Sequence, residues 1–141
     1  MKSYFAYGSN MGNHQMAQRC PDNRKLGHAR LPGFRWIIST GGCATIVESP
    51  SEEVEGVLFE ISESDERSLD RHEGVTLGTY RKVELPVLHG GRVVPALVYV
   101  DPVTTEGQVR QEYIARINAA LDDAGLSDAY IARQVRKFIP A

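Results

Sequence analysis

The stretch Phe5-Ala6-Tyr7-Gly8-Ser9-Asn10-Met11 decides how the chain begins. An apolar, aromatic run from Met1 breaks off into Gly-Ser-Asn, as a buried strand does on meeting a tight loop. Gly and Asn tolerate positive φ at little cost, so these residues alone are compatible with a plain turn. A loop that follows a strand end also presents backbone N–H groups, which suit an anion or a carbonyl oxygen. A second motif, Leu69-Asp70-Arg71-His72-Glu73-Gly74-Val75, supplies a candidate partner for that loop.

Outward from Met1–Tyr7, the patterning predicts further short strands. Lys25–Leu31 and Phe34–Thr40 read as a pair across the turn signal Pro32-Gly33. Ala44–Glu48 is another apolar run, closed by a turn at Ser49-Pro50-Ser51. In Val54–Ile61, Val57, Phe59 and Ile61 share one face by alternation. Ser62 reads as the N-cap of a helix with Asp65 in its first turn; the helix runs to His72 or Glu73 and Gly74 stops it. Tyr80–Leu88 and Arg92–Val100 form a hairpin around His89-Gly90-Gly91. The period then changes. Val109, Tyr113, Ile117, Ala120, Leu121 and Ala124 make a helical stripe ended by Gly125, and Ser127-Asp128 open a last helix bearing Ile131, Val135 and Phe138. Strands first and helices last give an α+β domain over residues 1–141, whose six or seven short strands could close into a small barrel.

Composition narrows the function. With 42% hydrophobic and 24% charged residues the chain reads as globular. A formal charge of −2 gives no electrostatic case for nucleic acid or an anionic membrane. No apolar run approaches the length of a membrane span, and no signal segment is expected. Cys20 and Cys43 lack metal-ligand spacing and read as free thiols of a cytoplasmic protein. His14, His28 and His89 form no metal pattern with the acids.

Glu73 is the candidate acid/base. It follows Leu69 by four residues, so both share one helix face, and Leu69 must face the core. Glu73 is thereby aimed at the core edge, beside Val75 and Leu77, at a helix C-terminus whose dipole opposes its charge. Burial and dipole both raise its pKa toward the range of a general base. A frayed, solvated helix end fits the residues equally well. The rival His72 points about 100° away, toward the solvated face. Ser9 as a nucleophile lacks the Gly-x-Ser-x-Gly elbow. Tyr80 belongs to a polar face or points into a cavity. Tyr113 is either a core aromatic or a hydrogen-bond donor to a ligand.

Together these residues resemble the γ-glutamylcyclotransferase (AIG2-like) family over nearly the whole chain. The resemblance includes Ala29-Arg30-Leu31, Gly41-Gly42-Cys43-Ala44-Thr45-Ile46, Glu53-Val54-Glu55-Gly56-Val57 and Gly78-Thr79-Tyr80 besides the two motifs above. Asn10 resembles the cyclotransferase branch proper; the glutathione-specific branch usually reads Tyr-Gly-Ser-Leu. The resemblance implies a mixed barrel with peripheral helices and a cavity at one end. It implies intramolecular aminolysis of a small γ-glutamyl compound to 5-oxoproline, by a monomer or homodimer without metal or redox cofactor. Glu73 would be the general acid/base, Tyr7, Gly8, Ser9, Asn10 and Met11 would hold the glutamyl group, and Tyr80 and Tyr113 would line the cavity. Phe34–Gly41 is shorter than in the animal members, which bears on the leaving group. The alternative is a non-catalytic binding module on the same fold. A hydrolase using His72 is the third reading.

Overall fold

The computed structural model describes all 141 residues. Five strands close into a barrel in the order β1-β3-β2-β4-β5: β1 (Lys2–Ala6), β2 (Arg24–Ile38), β3 (Ala44–Ile61), β4 (Arg81–His89) and β5 (Arg92–Val100). Neighbours are antiparallel except β1 and β5, which meet in parallel with Tyr4 opposite Leu97. The barrel is therefore mixed.

The strand count is lower than the six or seven expected, because two turn signals are not strand ends. Pro32 pairs with Glu53 and Phe34 with Glu48, so Gly33, at φ +85°, faces the unpaired residues Ser49–Glu52. The Pro32-Gly33 and Ser49-Pro50-Ser51 signals are opposite sides of one bulge within a long β2–β3 hairpin. Proline sits there without disrupting the ladder because the strands part locally. The hairpin tip lies instead at Ser39–Cys43.

Four helices pack around the barrel. The helix α1 (Asn13–Arg19) follows a 3₁₀ turn at Ser9–Met11 and has no counterpart in the sequence reading. The helix α2 (Glu63–His72) starts in the expected capping box, Ser62 with Asp65, and Gly74 leaves it at φ +66°. The helix α3 (Gln111–Ala124) ends at Gly125 in the left-handed region. Ser127 caps α4 (Asp128–Tyr130), which continues as a π-helical stretch, Ile131–Val135. One hydrophobic cluster joins all of this, running from Phe5 and Phe59 through Trp36 to Ile117 and Ile139. No helix is long and apolar enough to cross a membrane.

Candidate functional site

The strand β1 carries the chain into the barrel wall and delivers Tyr7 to its end. Trp36 Nε1 donates to the Tyr7 carbonyl (2.9 Å), and the Tyr7 hydroxyl donates to the Tyr99 carbonyl. With both ends of Tyr7 tied, the following turn leaves at a set angle. Within that turn Met11 N–H donates to the Gly8 carbonyl (3.1 Å), whereas the N–H groups of Gly8, Ser9 and Asn10 donate to nothing in the protein. Gly8 has a packing reason. A Cβ there would stand 3.1 Å from the Tyr113 hydroxyl and 3.4 Å from Ala44 Cβ.

Glu73 comes from the other side. In the Leu-Asp-x-x-Glu stretch, Leu69 is fully buried, and burying a leucine contributes about 1.5–3 kcal/mol. Asp70 accepts from the Tyr99 hydroxyl (2.7 Å) and from Lys82 Nζ (3.1 Å). These anchors hold the end of α2 against β4 and β5. One turn after Leu69, Glu73 points to the loop, where Asn10 Nδ2 donates to its Oε1 at 3.3 Å.

These elements enclose a cavity of about 400 Å³. Its lining includes Tyr7, Gly8, Ser9, Asn10, Glu73, Tyr80 and Tyr113. Seven of the eight residues singled out in the sequence thus meet at one place. Met11 does not: its side chain is 1% exposed within the core, and its N–H is already used. Tyr80 lies just before β4 and faces the cavity; its hydroxyl donates to the Ala44 carbonyl (2.7 Å). Ala44 lies beyond the hairpin tip, which Asp101 steadies by accepting from Ser39 Oγ (2.7 Å). His72 also reaches the rim, on the exposed side.

Burial pushes the Glu73 pKa up, and Arg19, Arg116 and the Asn10 hydrogen bond offset part of that rise. The His72 pKa is held down, by burial first and then by Arg19, Arg71 and Arg116, so its imidazole favours the neutral form. Burial raises the tyrosines Tyr4, Tyr7 and Tyr80 well above their usual range. Tyr113 is pushed up to about 12 by burial, with Ala44 and Ser9 pulling the other way. All four remain protonated near neutrality. The cavity therefore pairs one protonatable carboxyl with hydroxyl and amide donors and with the cations Arg19, Arg71, Arg110 and Arg116. No group of His, Cys, Asp and Glu side chains has metal-binding geometry.

Sequence reasoning missed the second layer of this site. Asn10 Oδ1 accepts from Gln15 Nε2 (2.8 Å) and Arg19 Nη1 (3.0 Å), both on α1. Gln15 Nε2 also donates to Ser9 Oγ (2.8 Å), and Arg116 reaches Gln15 Oε1 (3.2 Å) and Ser9 Oγ (3.3 Å). The available signal was the i, i+4 spacing of Gln15 and Arg19, which puts both on one face of a helix.

A sequence model of the family described as gamma-glutamyl cyclotransferase, AIG2-like, matches residues 4–116. A protein of Bos taurus named gamma-glutamylcyclotransferase is 38% identical over 94 residues, covering 60% of this chain and 50% of that protein. The chain thus spans about half the length of the curated relatives it matches. The solved structure of a gamma-glutamyl cyclotransferase superposes with a TM-score of 0.88 at 27% identity, over 99% of this chain and 89% of the other. YkqA from Bacillus subtilis superposes at 0.83 and 27% identity, over 96% of this chain and 53% of its own.

Proposed function

Because the chain belongs to the gamma-glutamyl cyclotransferase, AIG2-like family, we propose that it is an enzyme that cyclises a γ-glutamyl compound to 5-oxoproline, with Glu73 moving the proton. The observation that carries this reading is the facing pair: a half-buried Glu73 carboxyl held by Asn10, across one cavity from a turn with three unengaged amides.

The chemistry follows from what each group can do. The substrate α-amine, in its neutral form, attacks its own γ-carbonyl carbon. A nitrogen–carbon bond forms, and the bond from that carbon to the leaving nitrogen breaks. The attacking nitrogen gives up one proton and the leaving nitrogen gains one, so no water is consumed. A carboxyl with a raised pKa can accept the first proton and donate the second. Amides of Gly8, Ser9 and Asn10 are available to the developing oxyanion, where one donor typically contributes about 2.7–4 kcal/mol. Nucleophile and target belong to one molecule, so the cavity need only restrict rotors, and the tyrosine walls suit that task. Two free cysteines fit a cytoplasmic setting.

The test is product identification across γ-glutamyl amino acids and γ-glutamylamines. Formation of 5-oxoproline with release of the amine supports the reading. Glutamate as product would mean that water attacks, and saturable binding without product would make the cavity a binding site only. Either result overturns the proposal.

A further inference from the structure

The hydrogen bonds around Asn10 have a direction, and the direction is set by two arginines. Arginine only donates and stays charged. Arg116 Nε donates to Gln15 Oε1, which leaves the Gln15 Nε2 end facing Asn10. Gln15 Nε2 and Arg19 Nη1 then both donate to Asn10 Oδ1. The Asn10 amide is thereby turned so that Nδ2 faces Tyr4 Oη (2.9 Å) and Glu73 Oε1 (3.3 Å). Reversing the amide would put an NH₂ group against the guanidinium and a carbonyl oxygen against the carboxylate. The contacts with Gln15, Arg19 and Glu73 would become repulsions, and only the Tyr4 hydroxyl, which can also donate, would tolerate the reversal.

We infer that Arg19 is a positioning residue: through Asn10 it keeps Glu73 Oε1 occupied as an acceptor, so that the transferable proton resides on Oε2. This rests on the reading of Glu73 as the proton carrier. Oε1 faces an N–H and has no reason to bear a hydrogen. Oε2 accepts no hydrogen bond within the protein and is the oxygen left for the substrate nitrogens. The network also explains why a polar amide stands beside the carboxyl: its donor end is fixed from behind by groups that cannot reverse their role. Ser9 Oγ, accepting from both Gln15 and Arg116, belongs to the same directed set.

The experiment compares Arg19→Lys, Arg19→Gln and Arg19→Met in two readouts. The first is kcat and KM for 5-oxoproline formation against pH. The second, independent of turnover, is the titration of the Glu73 carboxyl carbon by ¹³C NMR, assigned by its loss in Glu73→Gln. Lysine keeps charge and donor, glutamine keeps a donor without charge, and methionine keeps neither. The expected order of kcat is wild type, then Lys, Gln and Met. Met loses roughly ten- to a hundredfold, the scale of a misplaced reacting group, and KM changes far less. The carboxyl titration and the acid limb of the rate profile move upward together in Gln and Met but not in Lys. Equal kcat in Gln and Met would reduce Arg19 to a charge and overturn the positioning role. A loss confined to KM would make it a substrate ligand instead and overturn it as well. If the wild type forms no 5-oxoproline, the functional reading fails, while the carbon titration still decides whether Arg19 acts on Glu73.

Discussion

Asn10 Nδ2 and Glu73 Oε1 stand 3.3 Å apart although the residues are 63 positions apart in the chain. One belongs to the turn after β1 and the other to the end of α2. Their contact joins the two motifs into one site, and it holds the carboxyl where burial raises its pKa.

That rise has a consequence for stability. Glu73 ionises less readily in the folded chain than at its ordinary value of 4.5. A raised folded pKa gives a contribution that is complete below the unfolded value and is lost as pH rises through the folded one. Glu73→Gln should therefore match wild type in Tm near pH 4, where both side chains are neutral, and exceed it at about pH 7.5. Thermal melts at the two pH values check this; a variant less stable than wild type at the higher value contradicts it.

The Gly8–Tyr113 approach predicts a coupled pair. In Gly8→Ala the new methyl meets the Tyr113 hydroxyl at 3.1 Å, tighter than ordinary contact. The turn and its free amides must shift, and kcat/KM should fall roughly tenfold or more. Removing the hydroxyl relieves the crowding, so Gly8→Ala combined with Tyr113→Phe should lose less than the two single losses multiplied together. A double-mutant cycle measures this, and strict additivity would show that the contact does not matter.

Tyr80→Phe removes the donor to the Ala44 carbonyl. One hydrogen bond contributes about 0.5–1.5 kcal/mol, so denaturant unfolding should show a loss of about 1 kcal/mol. The cavity wall beside Cys43 loosens, and KM should rise.

Much of this site was legible because its signals are local. Ser62 and Asp65 announce the start of α2, Gly74 its end, and the four-residue step from Leu69 to Glu73 orients the carboxyl. The strand-to-turn break at Tyr7-Gly8 is equally local. Long-range matters were not legible. Pro32-Gly33 and Ser49-Pro50-Ser51 carry true turn chemistry, yet the pairing of Pro32 with Glu53 and Phe34 with Glu48 makes them a bulge. Only the partner strand decides between those outcomes. The helix α1 was missed because Met16 is its sole buried residue, leaving no apolar stripe to see. With α1 went Gln15 and Arg19, and hence the reason for Asn10. Nor does the sequence show that the Met11 N–H closes the turn onto the Gly8 carbonyl, which leaves the free amides to Gly8, Ser9 and Asn10.

Away from the cavity, Glu55 ties the C-terminal helices to the barrel. It accepts from Ser127 N–H (2.9 Å), Ser127 Oγ (2.6 Å) and His28 Nε2 (3.0 Å). Burial alone would raise its pKa, but the Ser127 bonds and His28 outweigh that and hold it below 4.5. Ser127 also caps α4. Ser127→Ala should cost about 1–3 kcal/mol at neutral pH. A depressed carboxylate contributes stability above its unfolded value, and that contribution is lost as pH falls through the folded one. The gap between wild type and Ser127→Ala should therefore narrow below pH 4.5, the ordinary value for this group. Denaturant midpoints across that range test it, and a gap independent of pH would remove Glu55 from the explanation.

The most direct test of the account is the rate of 5-oxoproline release by Glu73→Gln on the best γ-glutamyl substrate, with folding checked by circular dichroism. Glutamine keeps the shape and the acceptor for Asn10 but cannot carry a proton. The account predicts a loss of about 10²–10⁴-fold in kcat, the usual contribution of a positioned acid/base. A folded Glu73→Gln protein that turns over at the wild-type rate would contradict it.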